Sequence, residues 1–365
     1  MSLDALVTIS NQYGRDERYV LAGGGNTSFK DSQYLYVKAS GTTLADITAE
    51  GFVKMRRDAL AAMWEKTYPT NSAEREAAVL QDLMEARVPE DAHKRPSVET
   101  SLHDLLPGQY VVHLHPALVN GLTCSNGGAQ KAAELFGQKA LWIENSEPGY
   151  VLAKLVKDKL TAYQKAHGTF PECLLLQNHG IFVSADSTEA ICSIYAEIMG
   201  TLEKALTEQP DLSMGAYCEE EMEDRKQELM ACGYDVVLFH RSKTIWEFTQ
   251  SSQSFEPLSS SFTPDHIVYC KARPLFLEKG ESAAEKIKTF TEKNGYRPLV
   301  IACQGLGFFA CGETEKKAQI TQKLFCDAAK IAVYSKSFGG YAHMPQELID
   351  FITNWEVESY RAKQQ

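Results

Sequence analysis

Three histidines carry the chemistry that this chain could perform: His113 and His115 in His113-Leu114-His115, and His179 in Gln177-Asn178-His179-Gly180, with the carboxylate of Glu99 upstream of the pair. In a strand, side chains at i and i+2 leave the same face about 6–7 Å apart, so His113 and His115 can converge on one ion where an adjacent pair could not. Pro116 ends that strand at once and places the pair at a strand mouth, where sites tend to form. Alone, such a pair on a half-buried strand is more often structural than ligating. His179 shifts the balance, because the apolar Leu174-Leu175-Leu176 delivers it into a turn closed by Gly180, where the backbone can approach another strand end. Three neutral imidazoles leave one coordination position open, as a catalytic metal requires and a closed structural site lacks.

The elements that must position these residues follow from pattern. Apolar-periodic stretches alternate with short strand-like runs, the grammar of a mixed α/β protein. The periodicity predicts helices over Glu50–Lys66, Ala73–Arg87, Pro148–His167 and Thr188–Leu206, and strands over Tyr34–Lys38, Tyr110–His115 and Cys173–Gln177. The histidines therefore fall at strand ends. Gly23-Gly24-Gly25-Asn26-Thr27-Ser28 and Ser40-Gly41-Thr42-Thr43 are turn-forming clusters of small donors on either side of the Tyr34–Lys38 strand, able to form one anion cradle.

At 365 residues the chain exceeds one ordinary domain. We expect a first domain over 1–210, an acidic helix and serine-rich linker over 211–260 (Glu219 to Asp224, then Ser251 to Ser261), and a smaller α/β domain over 261–365. In the last, Ile267–Cys270 and Leu299–Cys303 read as strands, and Glu281–Asn294 and Thr314–Tyr334 as helices. Laying Leu174–Glu189 over Ile301–Lys316 matches Gln177, Gly180 and Phe182 with Gln304, Gly307 and Phe309, while His179 meets Leu306. A duplicated unit that lost its ligand and chance similarity both explain this. Gly305-Leu306-Gly307-Phe308-Phe309-Ala310 matches a G-x-G-x-x-A dinucleotide fingerprint, but Asp327, at the distance of the expected acidic residue, lies in a helical pattern.

Composition narrows the partners. The hydrophobic fraction of 44% and charged fraction of 23% are ordinary for a globular protein, with no long apolar span and no apolar leader at Met1 to Arg15. A soluble, cytoplasmic protein without membrane partners is expected. Nine scattered cysteines without a Cys-x-x-Cys pair argue against a disulfide framework or a zinc ribbon. A net charge of -11 disfavours nucleic acid while leaving room for a local anion pocket.

Gly25-Asn26-Thr27-Ser28, Ala39-Ser40-Gly41, Pro96-Ser97-Val98-Glu99, His113-Leu114-His115-Pro116 and Asn178-His179-Gly180 together resemble the ordered motif series of the class II aldolase and adducin family. The order carries the resemblance, since any one block is common. Pro96 to His103, with Thr263-Pro264-Asp265-His266, is similar to the aldolase portion of long rhamnulose-1-phosphate aldolase/alcohol dehydrogenases; the dehydrogenase portion is missing. The resemblance implies a three-layer α/β fold with a central mixed sheet flanked by helices. It implies His113, His115 and His179 as ligands of Zn2+ or another divalent metal, and Glu99 as the catalytic carboxylate. Asn26, Ser40, Gly41 and Ser97 match positions that bind the phosphate of a sugar-phosphate substrate. Val98 stands where many family aldolases have a second serine, and Lys38 could restore the lost anion affinity, although a lysine ending an exposed strand is usually solvated.

The implied reaction is cleavage of a ketose 1-phosphate, of the rhamnulose or fuculose type, to dihydroxyacetone phosphate and an aldehyde, in a homotetramer. Pentulose-phosphate 4-epimerases share the three histidines, and Thr100 and His103 resemble their pattern, although their matching acid is commonly aspartate. An adducin-like binding module is a further alternative, set against by the retained histidines. His103, four residues after Glu99, would share its face on a helix and could orient it, or be a plain surface residue. His93 and His167 read as structural, and Asp265, His266 and Tyr269 as candidates only if the second domain folds over the site.

Overall fold

The structure is a computed structural model that describes residues 3–355. The positions beyond, including the end of the expected 261–365 domain, lie outside the described residues. Eleven strands are described: β1 (Asn26–Lys30), β2 (Tyr34–Lys38), β3 (Phe52–Arg56), β4 (Tyr110–Leu114), β5 (Ala140–Ile143), β6 (Cys173–Leu176), β7 (Gly180–Ala185), β8 (Val236–His240), β9 (Leu275–Leu277), β10 (Val300–Cys303) and β11 (Gly307–Gly312). They form a seven-stranded sheet, ordered β3-β2-β1-β4-β7-β6-β5, and a four-stranded sheet, ordered β8-β11-β10-β9. One compact unit holds the chain up to Val119 together with Ala129–Lys204, and the other holds Asn120–Gly128 together with Ala205–Asn354.

The larger sheet is mixed and flanked by helices, as the resemblance implied. All its pairs are antiparallel except β5 with β6. Its central strands bury both faces: Val111, Val112, Leu114, Leu174, Leu175, Ile181, Phe182 and Val183 are wholly enclosed. The helix Tyr150–His167 lays Leu152, Ala153, Val156 and Leu160 on one side of that core. It ends at Gly168, whose left-handed φ of 71° an L side chain would resist.

Three expectations fail, each for a local reason. Glu50–Lys66 is not one helix: Phe52–Arg56 forms β3 against β2, and only Arg57–Ala62 is α-helical. Its apolar Phe52, Met55, Leu60 and Met63 satisfy helical spacing, yet Phe52, Val53 and Met55 complete the sheet's core, so pairing overrides period. Ile267–Cys270 is not a strand but the end of the helix Pro264–Cys270, started by a proline at its first position. In the segment 211–260 the expected acidic helix forms, as Glu219–Ala231, but the remainder is not a linker, since it contains the strand β8 and two short helices of the second unit. Two of its serines are helix caps: Ser242 Oγ accepts from Ile245 N–H, and Ser251 forms a reciprocal capping box with Ser254.

The four-stranded sheet repeats half of the larger one. In both, an antiparallel pair carries a parallel strand on one side and an antiparallel strand on the other. Leu174 lies opposite Phe182 and Leu176 opposite Gly180, while Ile301 lies opposite Phe309 and Cys303 opposite Gly307, the same register displaced by 127 residues. The turns agree as well, with Asn178 at φ 54° and Gly305 at φ 73°. What looked like a dinucleotide loop is therefore a strand–turn–strand hairpin, and Phe308 and Phe309 are buried core.

Candidate active site

The histidines converge because three neighbouring strand ends meet. His113 is the fourth residue of β4, paired with Phe182 of β7 on one side and Asn26 of β1 on the other. Its Nδ1 lies 3.0 Å from the Ile181 carbonyl. A carbonyl only accepts, so Nδ1 carries a proton, and Nε2 points to the other side, 2.9 Å from His115 Nε2. The Phe182 ring stacks flat on the imidazole, 3.9 Å between centroids. His115 lies just past β4, its N–H donating to the Tyr19 carbonyl.

His179 sits in the β6–β7 turn. Its N–H donates to the Leu176 carbonyl, and the left-handed Asn178 before it accepts at Oδ1 from the Asn145 side chain at 3.0 Å. Gly180 is required here by close approach, because a Cβ would fall 2.5 Å from the Leu114 carbonyl and 2.7 Å from the His115 ring. The same holds at Gly25, where a Cβ would meet the His113 carbonyl at 2.7 Å and φ is 67°. The ligand-type atoms of His113, His115 and His179 all lie within 4.8 Å of one another.

Glu99 stands before the helix Thr100–Leu105, in a turn where its N–H donates to Ser97 Oγ at 3.2 Å. The residue is only 8% exposed. Oε1 lies 3.3 Å from His113 Nε2 and 3.5 Å from His179 Nε2 and has no hydrogen-bond partner. Oε2 accepts from Asn26 Nδ2 at 2.5 Å. Burial alone would push this carboxyl up, but the His113 and His179 rings and the Asn26 amide outweigh it and hold the group well below the usual carboxylate range. A divalent ion fits the donor set. Three imidazole nitrogens converge, and a buried carboxylate oxygen faces two of them without a hydrogen-bond donor of its own.

The anion-type residues gather less tightly. Ser40 N–H donates to the Arg95 carbonyl and Ala39 bridges to Pro96, which brings the Ser40-Gly41 loop alongside Ser97. Lys38 is not a solvated strand end but is 6% exposed. Asn26, expected among phosphate donors, turns its amide toward Glu99 and His103. His103 is wholly buried rather than on a helix surface. Sequence reasoning passed over Asn145, which carries no motif, and the left-handed Asn178, which the Asn-His-Gly turn could have suggested.

Residues 4–205 match the family described as Class II Aldolase and Adducin N-terminal domain, and the chain belongs to that family. It is 22% identical over 409 aligned residues to a Bacillus subtilis (strain 168) protein described as the uncharacterized oxidoreductase YuxG, covering 98% of this chain and 58% of that protein. The chain thus spans less than two thirds of that relative's length. Among solved structures, the N-terminal class II aldolase domain of a conserved Thermoplasma acidophilum protein is 26% identical, with a TM-score of 0.47 over 56% of this chain and 93% of that one. An L-fuculose 1-phosphate aldolase is 16% identical, with a TM-score of 0.36 over 63% and 98%. No described helix is long and apolar enough to cross a membrane.

Proposed function

We propose that this chain is a divalent-metal aldolase, with zinc the expected ion. It cleaves a ketose 1-phosphate of the rhamnulose or fuculose type to dihydroxyacetone phosphate and an aldehyde. The observation that carries the reading is Glu99 Oε1, a buried, ionised carboxylate oxygen without a donor, held 3.3 and 3.5 Å from two imidazole nitrogens that converge with a third. Family membership supports an aldolase- or epimerase-type enzyme.

His113, His115 and His179 would hold the ion. When bound, a divalent cation polarises the substrate carbonyl and offsets the negative charge that develops as the carbon–carbon bond breaks. The chain itself handles the proton. Asn26 ties Glu99 Oε2, so Oε1 is the oxygen that removes a proton from the carbon of dihydroxyacetone phosphate in the synthetic direction; in cleavage the ionised carboxylate takes up the proton that the substrate hydroxyl gives up as the aldehyde forms and delivers it to that carbon. Ser40, Gly41 and Ser97 bind the substrate phosphate by backbone and hydroxyl donors, and Lys38 supplies charge. The enclosure of Glu99 excludes water that would compete for the proton. A cytoplasmic homotetramer belongs to the same reading.

The test is a panel of ketose 1-phosphates and pentulose 5-phosphates assayed with and without a chelator, reading dihydroxyacetone phosphate and epimer. Chelator-sensitive release of dihydroxyacetone phosphate is expected. Epimer without release would establish an epimerase instead, and activity that survives both chelation and Glu99→Gln would overturn the reading.

A further inference from the structure

We infer that His103 is a positioning residue for Glu99, acting through the Asn26 side chain by deciding which end of that amide faces the carboxylate. The inference rests on the proposed acid–base role of Glu99. Its basis is a chain of four buried side chains, Ser28, His103, Asn26 and Glu99, whose hydrogen-bond directions can be solved from one end.

The Asn26 amide nitrogen donates to Glu99 Oε2 at 2.5 Å. The amide oxygen then faces His103 Nε2. That oxygen also only accepts, so Nε2 carries the hydrogen. Burial outweighs the opposing Glu99 charge, lowers His103 to about 3 and keeps the ring neutral, so with Nε2 carrying the hydrogen Nδ1 accepts. Nδ1 therefore accepts from the Ser28 hydroxyl, 2.7 Å away. Ser28 donates to His103, His103 to Asn26 and Asn26 to Glu99, and every proton in the chain points toward the carboxylate.

Asparagine by itself has no preference between its two ends. Turned over, its carbonyl oxygen would sit about where the nitrogen is and oppose a carboxylate, leaving two buried acceptors face to face. The imidazole N–H on the far side is what rewards the correct orientation. His103 is itself held from several sides. The Lys30 ammonium donates to its carbonyl at 2.6 Å, and its ring meets Phe182 edge-on, the same phenylalanine that stacks on His113. The consequence for Glu99 is an asymmetry, with one oxygen tied by the amide and the other left to face the histidines.

Two measurements test this on the full-length, metal-loaded protein. The first is nitrogen-15 NMR of the histidines, assigned with His103→Gln. It should show His103 as a single neutral tautomer with the proton on Nε2, and a proton on Nδ1 would overturn the inference whatever the enzyme does. The second is solvent deuterium exchange into dihydroxyacetone phosphate, which reads the proton transfer alone, compared for His103→Gln and His103→Phe. Gln can still offer an N–H toward Asn26, whereas Phe fills similar space without one. His103→Phe should exchange about 10- to 100-fold more slowly at unchanged metal content and a similar half-saturating concentration, and His103→Gln should stay within about threefold of wild type. Equal losses in the two variants, or no loss in His103→Phe, would overturn the positioning role. Wild-type protein that exchanges no deuterium would defeat the aldolase reading, and the tautomer would then decide the hydrogen-bond direction alone.

Discussion

In the larger unit, β4 and the β6–β7 turn present His113, His115 and His179, and Glu99 lies immediately before the helix that leads into β4. The smaller unit has four of these strands in the same register, and its corresponding positions are Phe239, Arg241 and Leu306. Phe239 stacks into aromatic core against Phe309. Arg241 reaches back to donate to the Gly305 and Leu306 carbonyls at 2.9 and 2.6 Å. Among the described residues the smaller sheet also has no counterpart of β1, the strand that brings Asn26 and Ser28 to the site. The backbone framework is therefore not what makes the site. One scaffold carries a metal-type donor set with an acid in one copy, and apolar packing closed by a guanidinium in the other.

The sharpest way to break this contrast is to copy the smaller unit into the larger. His179→Leu, which imitates Leu306, should abolish binding of the ion and lower turnover by on the order of 10^4-fold, measured by metal analysis and assay of the same preparation. Glu99→Gln should separate holding from chemistry: the ion stays at one per chain while turnover falls about 10^3-fold. An ion that leaves with Glu99→Gln would make the carboxylate a ligand first and a base second.

A third comparison uses acid. His103 is wholly buried beside β1, and burial lowers its pKa to about 3. The unfolded chain takes up this proton near pH 6.5 while the folded chain refuses it until about 3, so stability falls as pH falls through that window and then levels off. His103→Leu should flatten the acid limb of stability by on the order of a few kcal/mol, seen in denaturant midpoints at pH 7 and pH 4. Equal slopes in both proteins would mean that the imidazole is already charged when folded. Smaller still is the effect in the second unit. Arg241→Met leaves two carbonyls without their donor and should cost about 1–2 kcal/mol in unfolding while turnover stays unchanged.

The histidines were legible because their signal is local: an i, i+2 pair before proline, and a third residue between an apolar strand and a glycine that close packing demands. The Asn26–Glu99 contact was not, since β1 must pair with β4 across more than eighty residues before the amide and the carboxylate meet. Lys38 misled because strand position says nothing about what covers it. The serine-rich stretch misled because serine favours loops and helix caps alike, and Ser242 and Ser251 serve as caps. The matching hairpins were visible as the Gln-x-x-Gly-x-Phe echo, but only the strand pairing extends the correspondence outward to β4 with β8 and β5 with β9.

The finest test concerns the turn before His179. Both hairpins need a left-handed residue there, which Gly305 adopts without cost and Asn178 adopts with a modest one. What asparagine adds is Oδ1, which accepts from Asn145 and fixes the turn against the loop after β5. Asn178→Gly removes that bond and lets the turn wander, while relieving the backbone. The two effects nearly cancel in stability, within about 1 kcal/mol, but not at the ion, whose affinity should weaken several-fold because His179 is held less firmly. Asn178→Val should instead cost about 1–2 kcal/mol, because a branched side chain resists positive φ. Competition with a chelator measures the first and thermal unfolding the second. If Asn178→Gly binds the ion as tightly as the wild type, then Gly180 and the Leu176 carbonyl suffice to aim His179, and the two turns differ in residue but not in rigidity.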